Sequence, residues 1–207
     1  MKCALCGMEY GVSHSCPGPI PPSAESQNPL PTGFALWHYL GEAWRIIRWD
    51  DAAIRRVKDD PRALLYGIFI WAGANTIALL LILYLRVRNP RLLSPGPLLF
   101  LVIFALLYSG TLSLIQIGIV HLVAKFFCAG EGRFVQVLRP LLLASFVYVL
   151  QVIPVAGVLI AGLAFVAVMV MVFDEVHGMP QLTAFLVSAA AGVGLRILTG
   201  DIFRPPF

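Results

Sequence analysis

Hydrophobic and polar positions divide this chain into a polar N-terminal part and a long apolar remainder. From residue 63 onward the apolar runs are predicted as five membrane-spanning helices, at about 63–85, 98–127, 137–153, 155–173 and 181–199. Between Arg139 and Asp174 no charged side chain occurs. A run of that length exceeds any soluble strand or helix and reads as two spans hinged at Ile153-Pro154-Val155. The first span is interrupted only by Asn75 and Thr76, and Arg86, Arg88 and Arg91 follow it. Asn89-Pro90 and Ser94-Pro95-Gly96-Pro97 mark a short loop.

The second run, 98–127, is longer than the roughly 20 residues that a crossing needs, so it must tilt, kink or extend beyond the bilayer. It contains Ser109, Gly110, Thr111, Ser113, Gln116 and Gly118, and Gln116 requires a hydrogen-bond partner in such surroundings. His121 and Lys125 lie four apart near its exit, where interface snorkelling accounts for the lysine. Gly157, Ala161 and Gly162 offer a close-packing face on the fourth span. Ser188/Gly192 and Ala190/Gly194 do so on the fifth.

Before the spans, residues 34–60 return a helical period. Trp37, Leu40, Ala43, Trp44 and Ile47 form one face, with Glu42, Arg45 and Arg48 off it. Asp50 or Asp51 is a candidate cap for a second piece, 52–58, and Asp59-Asp60-Pro61 ends the segment. Trp opposite Arg predicts a helix lying in the membrane interface, and an amphipathic helix packed on protein is the alternative. Residues 19–33 form a Pro-rich linker.

Composition sharpens this picture. The chain is 59% hydrophobic and 13% charged, against roughly 45–50% and about 25% in soluble domains. The fold class is therefore an all-α integral membrane protein. The net charge of +4 suits basic residues flanking anionic lipid. These residues are scattered along helix ends rather than gathered in a patch, which argues against nucleic acid as a partner. Residues 1–61 hold no apolar run of signal-peptide length, so the N-terminus is expected in the cytoplasm and the C-terminus outside. That orientation places ten Lys and Arg inside and five outside, as the positive-inside rule asks.

Residues 1–18 carry three of the four cysteines. Cys3-x-x-Cys6-Gly7 has the spacing of a zinc knuckle, in which two thiolates on a tight turn reach one tetrahedral ion. His14 and Cys16 complete a candidate four-ligand site, predicting one structural zinc per chain and a small folded head. A redox dithiol and a degenerate knuckle are the other readings, the former disfavoured by the lack of a surrounding βαβ pattern.

Several short motifs carry a resemblance. His121-Leu-Val-Ala-Lys-Phe-Phe127, Gly132-Arg-Phe134, Ile153-Pro154-Val155-Ala156-Gly157 and Glu175-Val176-His177-Gly178 resemble the Yip family (Ypt/Rab-interacting proteins in eukaryotes), over roughly residues 37–199. Leu65-Tyr66-Gly67 is similar to an element of the eukaryotic members, without the proline and acidic residue usually beside it, and a small-GTPase role is not carried over. The resemblance implies a five-helix domain with a cytosolic N-terminus. The compact loops and cysteine-rich head look like a prokaryotic member in the cytoplasmic membrane. No enzymatic chemistry and no functional residue set come with it.

Three functions are in view. The chain is expected to be a non-enzymatic scaffold or adaptor for an unidentified membrane or cytoplasmic protein, with self-association as a further option. The alternative is a transporter or channel component lined by Ser, Thr, Asn and Gln, although ionisable residues sit near helix ends rather than mid-span. An intramembrane enzyme would need His121 and His177 to meet, with Asp174 and Glu175 near enough to hold a metal. Helix-end residues hydrogen-bonded or solvated at the interface are the simpler account of those four.

Overall fold

A computed structural model describes residues 33–86, 94–128, 130–153 and 156–198. The chain divides after Thr32, and these residues belong to the second unit, Gly33–Phe207. The predicted head and the linker before Gly33 lie outside the described residues. Among the described residues all regular structure is helical: α1 (Leu36–Ile47), α2 (Asp51–Asp59), α3 (Pro61–Arg86), α4 (Pro95–Phe127), α5 (Phe134–Ala144) with a 3-10 continuation (Ser145–Val152), α6 (Ala156–His177) and α7 (Gln181–Leu198).

Four helical stretches are long and apolar enough to cross a membrane: Pro61–Tyr84, Pro95–Phe127, Phe134–Val152 and Ala156–His177. The predicted fifth, α7, is apolar but shorter. The helices form a ring. α3 packs on α5 and its 3-10 continuation, these pack on α6, α6 on α7, α7 on α4, and α4 returns to α3. Gln116 finds its expected partner in that ring, donating from Nε2 to the Ser188 carbonyl at 3.3 Å.

The third span is not the single helix that periodicity predicts. Ser145 Oγ bonds the Leu142 carbonyl, competing with the helical ladder. Pro140 lacks an N–H, and Val147, Val149 and Val152 are β-branched. The chain tightens to 3-10 over 145–152. At about 2.0 Å rise per residue instead of about 1.5 Å, this lengthens a short apolar run to roughly 32 Å, enough for the hydrocarbon core.

The core gathers at one end of the ring. Of α4's 33 residues only Ile117, Val120, His121 and Ala124 are buried. Nothing between Pro95 and Gln116 is. At about 1.5 Å per residue α4 spans roughly 50 Å, and even a tilt of about 40° leaves more than a turn beyond a ~30 Å core. Its C-terminal turns, the residues 130–133 loop and the last turn of α6 join α1 and α2 in a collar. Ile46, Ile54, Val57, Val120, Val137 and Phe173 fill it. Arg55 pairs with Glu175 at 3.0 Å, linking α2 to α6. Arg139 donates to the Lys58 carbonyl at 2.6 Å, linking α5 to the carbonyl end of α2.

α1 packs on the protein through the side opposite Trp37 and Trp44, and Arg48, expected off the tryptophan face, lies on it because a four-residue step returns to the same side. Tyr39, Glu42, Ala43 and Ile46 face the protein, while Trp37 and Trp44 are exposed. Glu42 is buried because two guanidiniums meet it, Arg56 at 3.1 Å and Arg45 at 3.5 Å. Of the two cap candidates, Asp50 caps α2, accepting from the Ala52 and Ala53 amides at 3.0 and 3.3 Å.

Asp60 performs two tasks. One oxygen caps α3 by accepting the Arg62 amide at 3.0 Å, and the other accepts the Tyr39 hydroxyl at 2.5 Å. Tyr39 stacks on Tyr66 at 4.4 Å, and the Tyr66 hydroxyl accepts the Ala35 amide at 3.0 Å. Asp60→Ala is therefore expected to destabilise the protein by about 2–4 kcal/mol, seen as a lowered Tm in detergent. Burial, then the hydrogen bond to Asp60 and that carboxylate's charge, hold the Tyr39 hydroxyl well above the usual phenol range. A raised pKa in the folded state means the contribution is complete below about pH 10 and lost as pH climbs through and past it. Tyr39→Phe is expected to flatten that alkaline fall. An unchanged alkaline limb would count against this cluster as its cause.

Candidate functional site

The collar's centre is a pair of histidines from helices distant in sequence. His121 Nδ1 and His177 Nε2 stand 3.0 Å apart, and both residues are buried. His121 falls on the stripe of α4 that carries Ile117, Val120 and Ala124, so the helix period brings it to the core. His177 ends α6, where Gly178 takes a positive φ of 63° and returns its N–H to the Asp174 carbonyl at 2.8 Å. Phe134 meets His121 edge-on at 5.4 Å, and Phe173 stacks on His177 at 5.6 Å.

The Gly-rich turn after α4 is shaped by these rings. The Ala124 carbonyl receives both the Cys128 and Gly130 amides, at 3.2 and 3.1 Å, turning the chain back across His177. A Cβ on Gly130 would stand 2.5 Å from His177 Nδ1 and 2.9 Å from its Cβ. One on Gly132 would stand 2.5 Å from Val176 Cγ1 and 2.7 Å from the Val176 carbonyl. Glycine is required at both positions because the backbone itself forms the wall of the site.

That wall leaves His177 Nδ1 buried without a hydrogen-bond partner. A buried lone pair is less costly than a buried orphan N–H, which assigns the tautomer. His177 carries its proton on Nε2 and donates to His121 Nδ1. Two imidazoles so arranged can pass one proton along the contact, but they form a bond only while one nitrogen remains bare.

The carboxylates predicted nearby do not join the pair. Asp174 accepts from Gln181 Nε2 at 2.8 Å. Glu175 meets Arg55 at 3.0 Å and Lys58 at 4.0 Å. Lys125 is exposed. The structure corrects the expectation of a structural zinc. Among the described residues no group of three or more His, Cys, Asp or Glu comes together that could hold a metal ion, and Cys128 is a free thiol. Two imidazoles alone leave a tetrahedral ion short of ligands, and the adjacent carboxylates are engaged by cations and an amide. The residues assigned to that zinc, Cys3, Cys6, His14 and Cys16, lie outside the described residues, and no zinc-dependent role is assigned to the chain.

A second feature lies away from the collar. A cavity of about 220 Å³ opens between α3, α4 and the 3-10 segment. Asn75, Thr76, Tyr108, Ser109 and Gln151 supply its polar wall. Asn75 Nδ2 donates to the Trp71 carbonyl at 2.8 Å, one turn back on its own helix.

Sequence reasoning named the meeting of His121 and His177 only as the requirement of an enzyme and preferred separate helix-end residues, and it missed the Tyr39–Asp60–Tyr66 cluster. Aspartate directly before a helix-opening proline is a capping signal that would have located Asp60. Comparison with known proteins gives no matching family, no matching curated protein and no matching solved structure.

Proposed function

We propose that this chain is a Yip-type multi-pass membrane scaffold, with α7 as a fifth crossing and the collar on the cytoplasmic side of a prokaryotic cytoplasmic membrane. The observation that carries the reading is how the collar uses its polar side chains. Glu42 holds Arg56, Glu175 holds Arg55, Asp60 holds Tyr39, and His121 holds His177. Each pair ties two different elements together, as a rigid docking platform requires. The resembling motifs support it too, since Gly132, Val176 and His177 meet in one contact. At about 27 Å, α7 is nearly long enough for a thin bilayer. A reporter fused to each terminus tests the orientation, which requires the N-terminal reporter inside and the C-terminal one outside. Native gel electrophoresis of gently solubilised membranes tests the scaffold. A discrete complex larger than the protein in its micelle is expected, and migration as the bare chain would defeat the proposal.

The cavity between α3, α4 and the 3-10 segment favours a second reading, a transport component. Asn75, Thr76, Ser109 and Gln151 place uncharged polar groups in an otherwise mostly apolar wall, as such a path requires. Liposomes holding the purified protein decide between the two. Solute flux that falls in Thr76→Val and Gln151→Leu would establish transport and displace the scaffold.

A further inference from the structure

The outer face of α1 is unlike the rest of the collar. Trp37 is 84% exposed, Trp44 55%, and Phe34 82%. Seven residues separate the two tryptophans, two helical turns, and Arg48 follows Trp44 by four, so all three share one side. Arg45 stands beside them, with 57% of its side chain exposed. The opposite side of the same helix is packed on the protein through Tyr39, Ala43 and Ile46. The exposed residues are therefore presented by a fixed helix.

The corner after α1 adds a second observation. Amides 48–50 return to carbonyls 44–46, which makes this a helix C-cap. Its left-handed position, φ 68°, is held by Trp49. Glycine or asparagine relieves that strain, and a bulky side chain there is an outlier. The indole does not repay it by burial, because Trp49 is 66% exposed. What the indole does lies outside the fold.

Depth identifies the partner. The Ala35 amide bonds the Tyr66 hydroxyl at 3.0 Å, and the Phe34 ring lies 5.9 Å from the Tyr66 ring. Tyr66 is in the second turn of α3, where Leu65, Ile68 and Phe69 face outward from the spanning helix. The start of α1 thus lies beside the first turns of α3, and in a bilayer that α3 crosses this is the level of the lipid headgroups. Indoles favour that layer and guanidiniums bind phosphate there. Near this stripe Glu42 is held by Arg56 at 3.1 Å and by Arg45 at 3.5 Å, Asp50 is engaged in capping α2, and Asp51 is the exposed carboxylate, so Arg48 brings the larger share of unbalanced positive charge and Arg45 adds its exposed outer edge.

We infer that Trp37, Trp44 and Trp49 with Arg45 and Arg48 form a binding surface for anionic phospholipid headgroups in the leaflet at the collar. The inference rests on the chain lying in a bilayer. It does not depend on the scaffold reading, and a transport result would leave it standing.

The test uses the full chain in lipid nanodiscs of mixed phosphatidylcholine and phosphatidylglycerol. Trp71→Phe removes the tryptophan of α3, and the remaining fluorescence reports Trp37, Trp44 and Trp49. Bromine is placed on the acyl chains of one lipid or the other at equal mole fraction. Brominated phosphatidylglycerol is expected to quench about two- to fivefold more strongly than brominated phosphatidylcholine. The excess is expected to vanish in Arg45→Gln/Arg48→Gln while quenching by phosphatidylcholine persists. Equal quenching by the two lipids, or an excess that survives the double substitution, overturns the anionic site. No quenching by either turns the stripe toward water and a protein partner, which also overturns it. Trp49→Gly separates fold from binding. It is expected to raise Tm in detergent and to reduce the lipid quenching, whereas a lowered Tm would make Trp49 a structural residue and remove the corner from the surface.

Discussion

Gly130→Ala is expected to lower the Tm of the detergent-solubilised protein by roughly 5–10 °C, the effect of about 2–3 kcal/mol of overpacking in a chain of this size. The added methyl would stand 2.5 Å from His177 Nδ1. The imidazole cannot retreat, because it is bonded to His121 on one side and stacked on Phe173 on the other. The cause is one side chain, so the damage should be conditional on it. His177→Ala is itself expected to cost about 2–3 kcal/mol through the lost ring contacts and the orphaned His121 nitrogen. Adding Gly130→Ala to that background should then cost almost nothing further, a coupling of about 2 kcal/mol between the positions. Thermal melts of the four proteins of the cycle measure it. Equal costs in both backgrounds would show that Gly130 is needed for its backbone conformation and not for the approach to the histidine pair.

Gly157→Ala is expected to be worse, and beyond rescue by any side-chain change. The methyl would collide with the Leu150 carbonyl and stand 3.0 Å from the Gln151 carbonyl carbon. These are backbone atoms at the end of the 3-10 segment, which is clamped between α3 and α6. A loss of more than about 3 kcal/mol is expected, with most of the protein recovered as aggregate in size-exclusion chromatography. Gly162→Ala supplies the control. Gly162 has open space where a methyl would go, so that change should be neutral or stabilising by up to about 1 kcal/mol through helix propensity. If the two alanine variants behave alike, the close approach of α6 to the 3-10 segment is not what Gly157 provides.

These two glycines show why some motifs could be seen in the chain without being understood there. Gly130, Gly132, Val176 and His177 stand out in the sequence as short patterns. Their chemistry is a mutual contact across more than forty residues, which no local spacing encodes. The cluster of Tyr39, Asp60 and Tyr66 was hidden for the same reason. Asp60 had an adequate local explanation as a helix terminator and Tyr66 as part of the start of a span, Tyr39 drew no reading of its own, and only their meeting makes a site.

Apolar run length by itself determined four helices long and apolar enough to cross a membrane, to within about a turn of their bounds, while the predicted fifth is a shorter apolar helix. A helix that must satisfy its own backbone in hydrocarbon leaves no other solution. Tertiary structure decided what runs of apolar residues cannot express. It packed α1 on the side opposite its tryptophans, tightened residues 145–152 into a 3-10 segment, and brought the C-terminal turns of α4 into a collar. Leucine-rich surfaces are interchangeable against lipid, whereas a buried carboxylate or imidazole must find one particular partner. The end of the bundle that holds such groups is therefore the end that packing alone could specify.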